Sequence, residues 1–455
     1  MKHNIPAILA LISVMGLELF WLVAPSPGVQ ALTAGAVLAV VLAALPRLGL
    51  REAYLITLCA GLSVIIALRD PAPLPILASA IGQAAFLMAF ILLVGLIQQA
   101  AATSLAMRDC GEYLTGQRAG RRYLALFGGT HLMSQIFNLG SIALLTPLIM
   151  RGTEDRSDPL NPVRQRRQLT AMLRGFAWAV IWSPTAIAPL TLMVLLPDAR
   201  RGPWIAAGLG IALVIALIGW AEDHWHWRGA RTAARLSPEF PRRAYGAFGL
   251  ICLALLVLTL SAMWAFDQSV VFGLMVAAPV LMTGWLLIQN RGDHRATGAR
   301  IGAIIREYLP KSAPIAISLA ASGFIGRAAA ALTPSAEIAA AINLAAMPGW
   351  LFLFGLSLAV TILSWLALSP IMLAVFFGSI IADLPHLPVE TTWAALAISC
   401  GWALSMTTSP FATIILMHTQ ITGHSGMTAT WRWNWRFNLA ATGVLALAYW
   451  LLVGD

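Results

Sequence analysis

AWAVIWSPTAIAPL, Ala177 to Leu190, is an apolar run of the kind that fills a membrane span, yet a Ser183-Pro184 step sits in its middle. Proline lacks a backbone donor and clashes with the preceding turn, so a helix built on this run must break there. GWALSMTTSPFATI, Gly401 to Ile414, repeats the design, with Trp402, Ser409 and Pro410 echoing Trp178, Ser183 and Pro184. Two such interrupted segments imply two similar halves, and in membrane carriers paired breaks of this kind point to a binding site.

The rest of the chain supplies the setting. Of its 455 residues, 59% are hydrophobic and only 11% charged, which excludes an ordinary soluble domain and predicts an all-α polytopic membrane protein. The first apolar run, Ile5 to Val23, follows Lys2 and His3 in the manner of a signal peptide, but no polar domain comes after it, so we expect an uncleaved span. The net charge of +10 is dispersed through short loops, where arginines set topology and meet lipid headgroups. No soluble basic segment exists to hold nucleic acid. Cys59, Cys110, Cys252 and Cys400 lack metal or redox spacing and are expected to pack; no metal site and no cofactor is expected.

Apolar runs at 5–23, 29–46, 54–68 and 73–101 read as the first four spans. Arg47 and Arg51 against the uncharged loop at 25–30 put the N-terminus on the cytoplasmic side. The run 123–150 is followed by Arg151, Arg156, Arg164, Arg166, Arg167 and Arg174, which a crossing would carry to the wrong face. A re-entrant hairpin with its tip near Asn138, Leu139, Gly140 and Ser141 removes the conflict. Irregular backbone at membrane depth is tolerated only where it lines a protein cavity, so that tip belongs at a site. The broken span 176–198 leads out and 203–220 returns. After the basic linker come 246–266, 270–288 and 309–332, then a second hairpin at 350–383 with Ser364 and Ser369-Pro370 near its tip. The broken span 392–420 and a last span at 437–452 complete the chain. Both 73–101 and 309–332 open with Leu-Pro, at Leu74-Pro75 and Leu309-Pro310.

This gives an N-terminal span in 1–28 and a first repeat in 29–222, with its hairpin at 123–150 and broken helix at 176–198. A basic cytoplasmic linker at 223–245 precedes a second repeat in 246–455, with its hairpin at 350–383 and broken helix at 392–420. One span plus two five-span halves makes about 11 transmembrane helices and inverts the second half relative to the first. The layout resembles the ion transporter superfamily, in particular the divalent anion/sodium symporter type. Those carriers typically place a Ser-Asn-Thr signature at both hairpin tips; here the tips hold Asn138-Leu139-Gly140-Ser141 and Ser369-Pro370. The resemblance implies an elevator-type secondary carrier with its site between the hairpin tips and the helix breaks. Carriers of that type are often homodimers. The expected location is a bacterial inner membrane.

The candidate substrate-binding residues are therefore Asn138, Gly140 and Ser141 at the first tip, Ser183, Pro184 and Thr185 at the first break, Ser364 and Ser369 at the second tip, and Thr407, Thr408, Ser409 and Pro410 at the second break. Half-helix N-termini and hydroxyls suit an anion. Each group also has a plainer reading: a proline kink, a small-residue packing contact, or a serine bonded to its own helix. Imidazole as a group titrates in the useful range, so His131 is the candidate coupling residue, against a satisfied structural histidine. Arg327 is read as reaching toward the outer surface, and Glu18, outside the repeats, as structural or interfacial. No carboxylate occurs at the hairpins or breaks, which favours a small anion, an organic carboxylate or a related species, over a cation. A cation/proton antiporter of the same superfamily is the alternative, and sodium or a proton stays open as the coupling ion. An enzyme is not expected: His131 and Ser134 share a helical face, but no acidic partner or hydrolase motif accompanies them. In a background without the four native cysteines, Leu160→Cys should react with impermeant maleimide only from the cytoplasmic face; labelling from outside would make the first hairpin a crossing.

Overall fold

A computed structural model describes residues 5–154, 158–229 and 238–454. The charged residues Lys2, His3, Asp155, Arg156, Arg231, Arg235 and Asp455 lie outside the described residues. All regular structure in the described chain is helical. It begins with α1 Ile5–Val23, α2 Pro27–Ala44, α3 Leu50–Arg69, α4 Pro73–Ala101 and a short α5 Leu105–Thr115. Then come α6 Ala119–Phe137, α7 Leu139–Gly152, α8 Asn161–Ala179, α9 Ile187–Leu195 and α10 Arg201–His226. The second half holds α11 Arg242–Phe266, α12 Val270–Gln289, α13 His294–Leu332, α14 Ser335–Ala341, α15 Gly349–Trp365, α16 Pro370–Asp383, α17 Thr391–Thr408, α18 Thr413–Thr422 and α19 Trp433–Val453.

Among the described residues ten stretches are long and apolar enough to cross a membrane, so the chain is an all-α polytopic membrane protein. The eleventh expected span, 176–198, is divided. Its first part belongs to α8, which carries Arg164, Arg166, Arg167 and Arg174, and its second part, α9, has nine residues. Neither piece qualifies alone. The expected span 309–332 starts earlier than its apolar run: Asp293 accepts hydrogen bonds from the N–H groups of Arg295 and Ala296 and opens α13 at His294. Leu309-Pro310 therefore lies inside α13, whereas Leu74-Pro75 lies in the first turn of α4, where the missing donor costs nothing.

The chain forms two compact units, each drawn from both halves of the sequence. One is Met1–Ser104 with Gly249–Pro334; the other is Leu105–Phe248 with Ser335–Asp455. In the first unit, α4 packs along α13, α3 rests on α13 and α12 rests on α4. The second unit contains all four pieces of the two hairpins and both broken helices. Its packing repeats between halves: α6 lies on α8 as α15 lies on α17, and α10 touches α6 and α8 as α19 touches α15 and α17. The short pieces are exchanged. α9 packs on α16, and α18 packs on α7.

Two glycines set matching close approaches in the two halves. A Cβ at Gly175 would stand 2.3 Å from the Phe127 carbonyl oxygen, and one at Gly401 would stand 2.6 Å from that of Ser357. These crossings, α8 on α6 and α17 on α15, need bare backbone on one side. Each glycine stands eight residues before the serine of its break, so the repeat register runs through glycine, serine and proline. Trp178 and Trp402 stand five and seven residues before their serines and are not equivalent. Gly175→Ala and Gly401→Ala should each cost about 1–3 kcal/mol through overpacking against backbone. Thermal unfolding of the purified protein should show both with lowered midpoints, while Gly16→Ala, which meets nothing within 4 Å, leaves the midpoint in place.

Candidate functional site

The two breaks share a serine turn, although α8 already ends at Ala179, four residues before Ser183, whereas α17 runs to Thr408, directly before Ser409. Ser183 Oγ accepts from the N–H of Thr185 at 3.3 Å, and Ser409 Oγ accepts from the N–H of Phe411 at 3.3 Å. The serine carbonyl then accepts from the alanine three residues on, Ala186 at 3.4 Å and Ala412 at 3.2 Å. That alanine is the extended residue from which α9 or α18 starts. The unit Ser-Pro-x-Ala is thus a serine turn followed by a new helix. Proline cannot continue the old helix, and the serine hydroxyl takes up one of the freed donors. The first two N–H groups of each new helix, on Ile187 and Ala188 and on Thr413 and Ile414, have no backbone acceptor among the described residues. They are the positive ends of α9 and α18.

Each break is tied to the hairpin of its own half. The Thr185 hydroxyl donates to the Gln135 carbonyl near the end of α6. The Ser409 hydroxyl donates to the Ser364 carbonyl at the end of α15 at 2.8 Å. Both hairpins turn on a non-glycine residue with positive φ. Asn138 (φ 45°, ψ −126°) alone separates α6 from α7, and Ala367 (φ 64°) lies in the turn from α15 to α16. Such backbone is costly, about 1–3 kcal/mol per residue, and collects at functional sites. α7 and α16 have 14 residues each. At 1.5 Å per residue they are about 21 Å long, short of a hydrocarbon layer of about 30 Å.

The predicted site residues fall into distinct groups. Asn138 is half-buried, and its side-chain amide has no hydrogen-bond partner among the described residues; its carbonyl accepts from the Ser141 hydroxyl at 2.8 Å. Gly140 beside it is half-buried. Ser183, Thr185 and Ser409 hold the breaks, with Ser183 Oγ 3.1 Å from Thr185 Oγ1. Pro184 is exposed and Pro410 half-buried. Ser364, Thr407 and Thr408 turn their hydroxyls onto carbonyls of their own helices, at 2.8, 3.1 and 2.9 Å. Ser369 stands at the start of α16 without bonding its backbone. Sequence reasoning passed over Gln135, whose Oε1 is buried without a partner while its Nε2 donates to the His131 carbonyl at 3.0 Å. It also passed over Asn438, which donates to the Thr407 carbonyl at 2.9 Å and keeps its Oδ1 buried and unbonded. An amide inside an apolar run was the available signal at both.

His131 is engaged at both ring nitrogens. Nδ1 lies 3.1 Å from the carbonyl of Gly175, an acceptor, and Nε2 lies 2.7 Å from Trp182 Nε1, a donor. These partners require the neutral tautomer with its proton on Nδ1. The ring is stacked between Phe127 and Trp182. In the second half Thr361 donates to the carbonyl of the matching Gly401 at 3.2 Å, so His131 occupies the position of a crossing-point hydrogen bond.

The polar half of α8 is anchored separately. Arg167 makes a bidentate pair with Asp223 (3.0 and 2.7 Å). Arg174 joins Glu222 at 2.7 Å and Asn434 at 2.7 Å, and lies 4.0 Å over the Phe437 ring. These arginines therefore bind α8 to α10 and α19.

In sequence the chain matches no family model and no curated protein. In structure it is similar to the Alcanivorax borkumensis YdaH transporter, whose crystal structure is described as having an unusual topology. The likeness has a TM-score of 0.53 at 13% identity and covers 89% of this chain and 97% of that one. The two share a fold. Thr185→Val and Ser409→Ala each remove a hydroxyl donor from a hairpin carbonyl, although that of Ser364 keeps the Ala367 N–H at 3.2 Å, and each should cost about 1–3 kcal/mol. Denaturant unfolding should register the two losses as similar in size, and a loss confined to one variant would show that the two breaks are not equivalent supports.

Proposed function

We propose that the protein is a secondary active transporter of a small anion, an organic carboxylate or a species like it, bound at the two Ser-Pro breaks. The observation that carries this reading is the duplicated turn. Two half-helices begin inside the same compact unit, each with its first N–H groups lacking a backbone acceptor among the described residues and each tied to a strained hairpin end. Partial positive charge and unspent N–H donors at membrane depth suit a carboxylate or oxyanion. The elements α6–α9 and α15–α18 carry one carboxylate, Asp383, at the far end of α16. A cation bound at the breaks would find no counter-charge there. The likeness in fold to a transporter supports the same reading.

Asn138 is the residue we assign to contact the substrate directly, since its amide serves no described partner. Gln135 and the hydroxyls at the breaks shape the pocket around it. An elevator mechanism fits a chain in which one compact unit holds every hairpin and broken helix, because such a mechanism moves one body that carries the whole site. His131, held neutral by two partners, serves this site as a support in our reading, which leaves the coupling ion, sodium or a proton, to be found by experiment. A bacterial inner membrane and a homodimer are the setting expected of such a carrier.

A thermal-shift screen of the purified protein with carboxylates, sulfonates and oxyanions, with and without sodium, should identify a stabilising anion. Uptake of that anion into proteoliposomes is the direct test. Asn138→Gly removes the amide yet keeps a residue that tolerates φ 45°, so the fold should persist. Loss of one hydrogen bond to a charged ligand predicts uptake affinity lower by about 10- to 100-fold. Movement of sodium or protons by the protein with no anion present would sink the proposal in favour of a cation/proton antiporter.

A further inference from the structure

The packed face of α1 carries Ala7, Leu11, Val14 and Glu18, spaced so that the carboxyl joins a row of aliphatic groups. Glu18 is 4% exposed, and among the described residues it makes no hydrogen bond or ion pair. A buried carboxyl without a partner is expensive, and at membrane depth it is a functional candidate. It borders a cavity of about 210 Å³, within the unit that contains neither hairpin nor break. At about 30 Å³ per water molecule, that volume accommodates several waters or one small organic group.

The cavity wall has a consistent chemistry. Gln30 uses its Nε2 to donate to the Ala78 carbonyl at 3.3 Å, which leaves its Oε1 as an acceptor. The Thr33 hydroxyl donates to the Val29 carbonyl at 2.9 Å, which leaves its oxygen lone pairs. Ser79 accepts from Arg327 Nε at 2.9 Å; the Arg327 side chain is not among the lining residues, whereas Trp21 is. A carboxylate, an amide oxygen, a hydroxyl oxygen and an aromatic ring together match a group with several N–H donors and a positive charge.

We infer that this cavity binds a primary ammonium group, with Glu18 as its counter-ion and Gln30 Oε1 and Thr33 Oγ1 as further acceptors. Glu18 stands five residues before the end of α1 at Val23, about 8 Å along the helix axis. Soluble amines and aminophospholipid headgroups both present the required group at that depth. The site is independent of the anion site proposed above and stands or falls without it.

Calorimetric titration of the full chain in detergent at low ionic strength, with propylammonium chloride against propan-1-ol, tests the soluble source. Native mass spectrometry with phosphatidylethanolamine against its N-acetylated form tests the lipid source. In one arm or both, the ammonium form should be held at least about tenfold more tightly than its neutral counterpart, and Glu18→Gln should abolish that preference. Gln30→Leu, which leaves the carboxylate in place, should weaken the same preference severalfold and keeps the test decisive if Glu18→Gln does not fold. Equal binding of charged and neutral forms in both arms overturns the inference. So does a preference that survives both substitutions.

Discussion

A peptide group released from a helix inside a membrane finds no water to bond, so each interruption must be furnished with partners by the chain itself. The Ser-Pro-x-Ala turn meets that demand at two places in the same way: proline bars a return to the old helix, the serine hydroxyl takes a freed N–H, and alanine starts the next helix. What the turn does not furnish is equally consistent. Among the described residues the opening N–H groups of α9 and α18 have no backbone partner, and our proposed anion site rests on that feature.

The breaks also depend on close helix crossings. Gly175 and Gly401 let α8 and α17 touch the carbonyl side of α6 and α15, and the hydrogen bonds from His131 and Thr361 are drawn across at those same crossings. The hydroxyls of Thr185 and Ser409 reach the hairpin ends only because the helices meet so tightly below them. Small residues, a turn motif and two hydroxyl bridges are parts of one device used twice.

Much of this was legible in the sequence. Ser183-Pro184 and Ser409-Pro410 located the breaks because proline's effect on a helix is local, and Asn138 with Gly140 and Ser141 located the first hairpin end because polar and flexible residues stand out in an apolar run. The tryptophan echo misled, since Trp178 and Trp402 sit at different distances from their serines, and it is glycine that keeps register with the serine and proline. The early start of α13 was hidden because the apolar run begins well after the Asp293 cap. The pairing of Arg174 with Glu222 and Asn434 was out of reach because it joins residues far apart in the chain, and loop arginines read as topology markers give no hint of burial. Glu18 shows the same limit: its spacing on α1 was visible, but the cavity beside it depends on α2 and α4.

The exchange of short helices between halves has a consequence for synthesis. α9 rests on α16 and α18 on α7, so the first hairpin and first break emerge long before the elements that cover them. At roughly 5–20 residues per second, α7 and α9 wait on the order of tens of seconds for α16 and α18 to be made. During that interval α7 lacks α18 and α9 lacks α16 as neighbours. The growing chain therefore passes through a stage at which its first hairpin and first break lack the cover that the finished protein gives them.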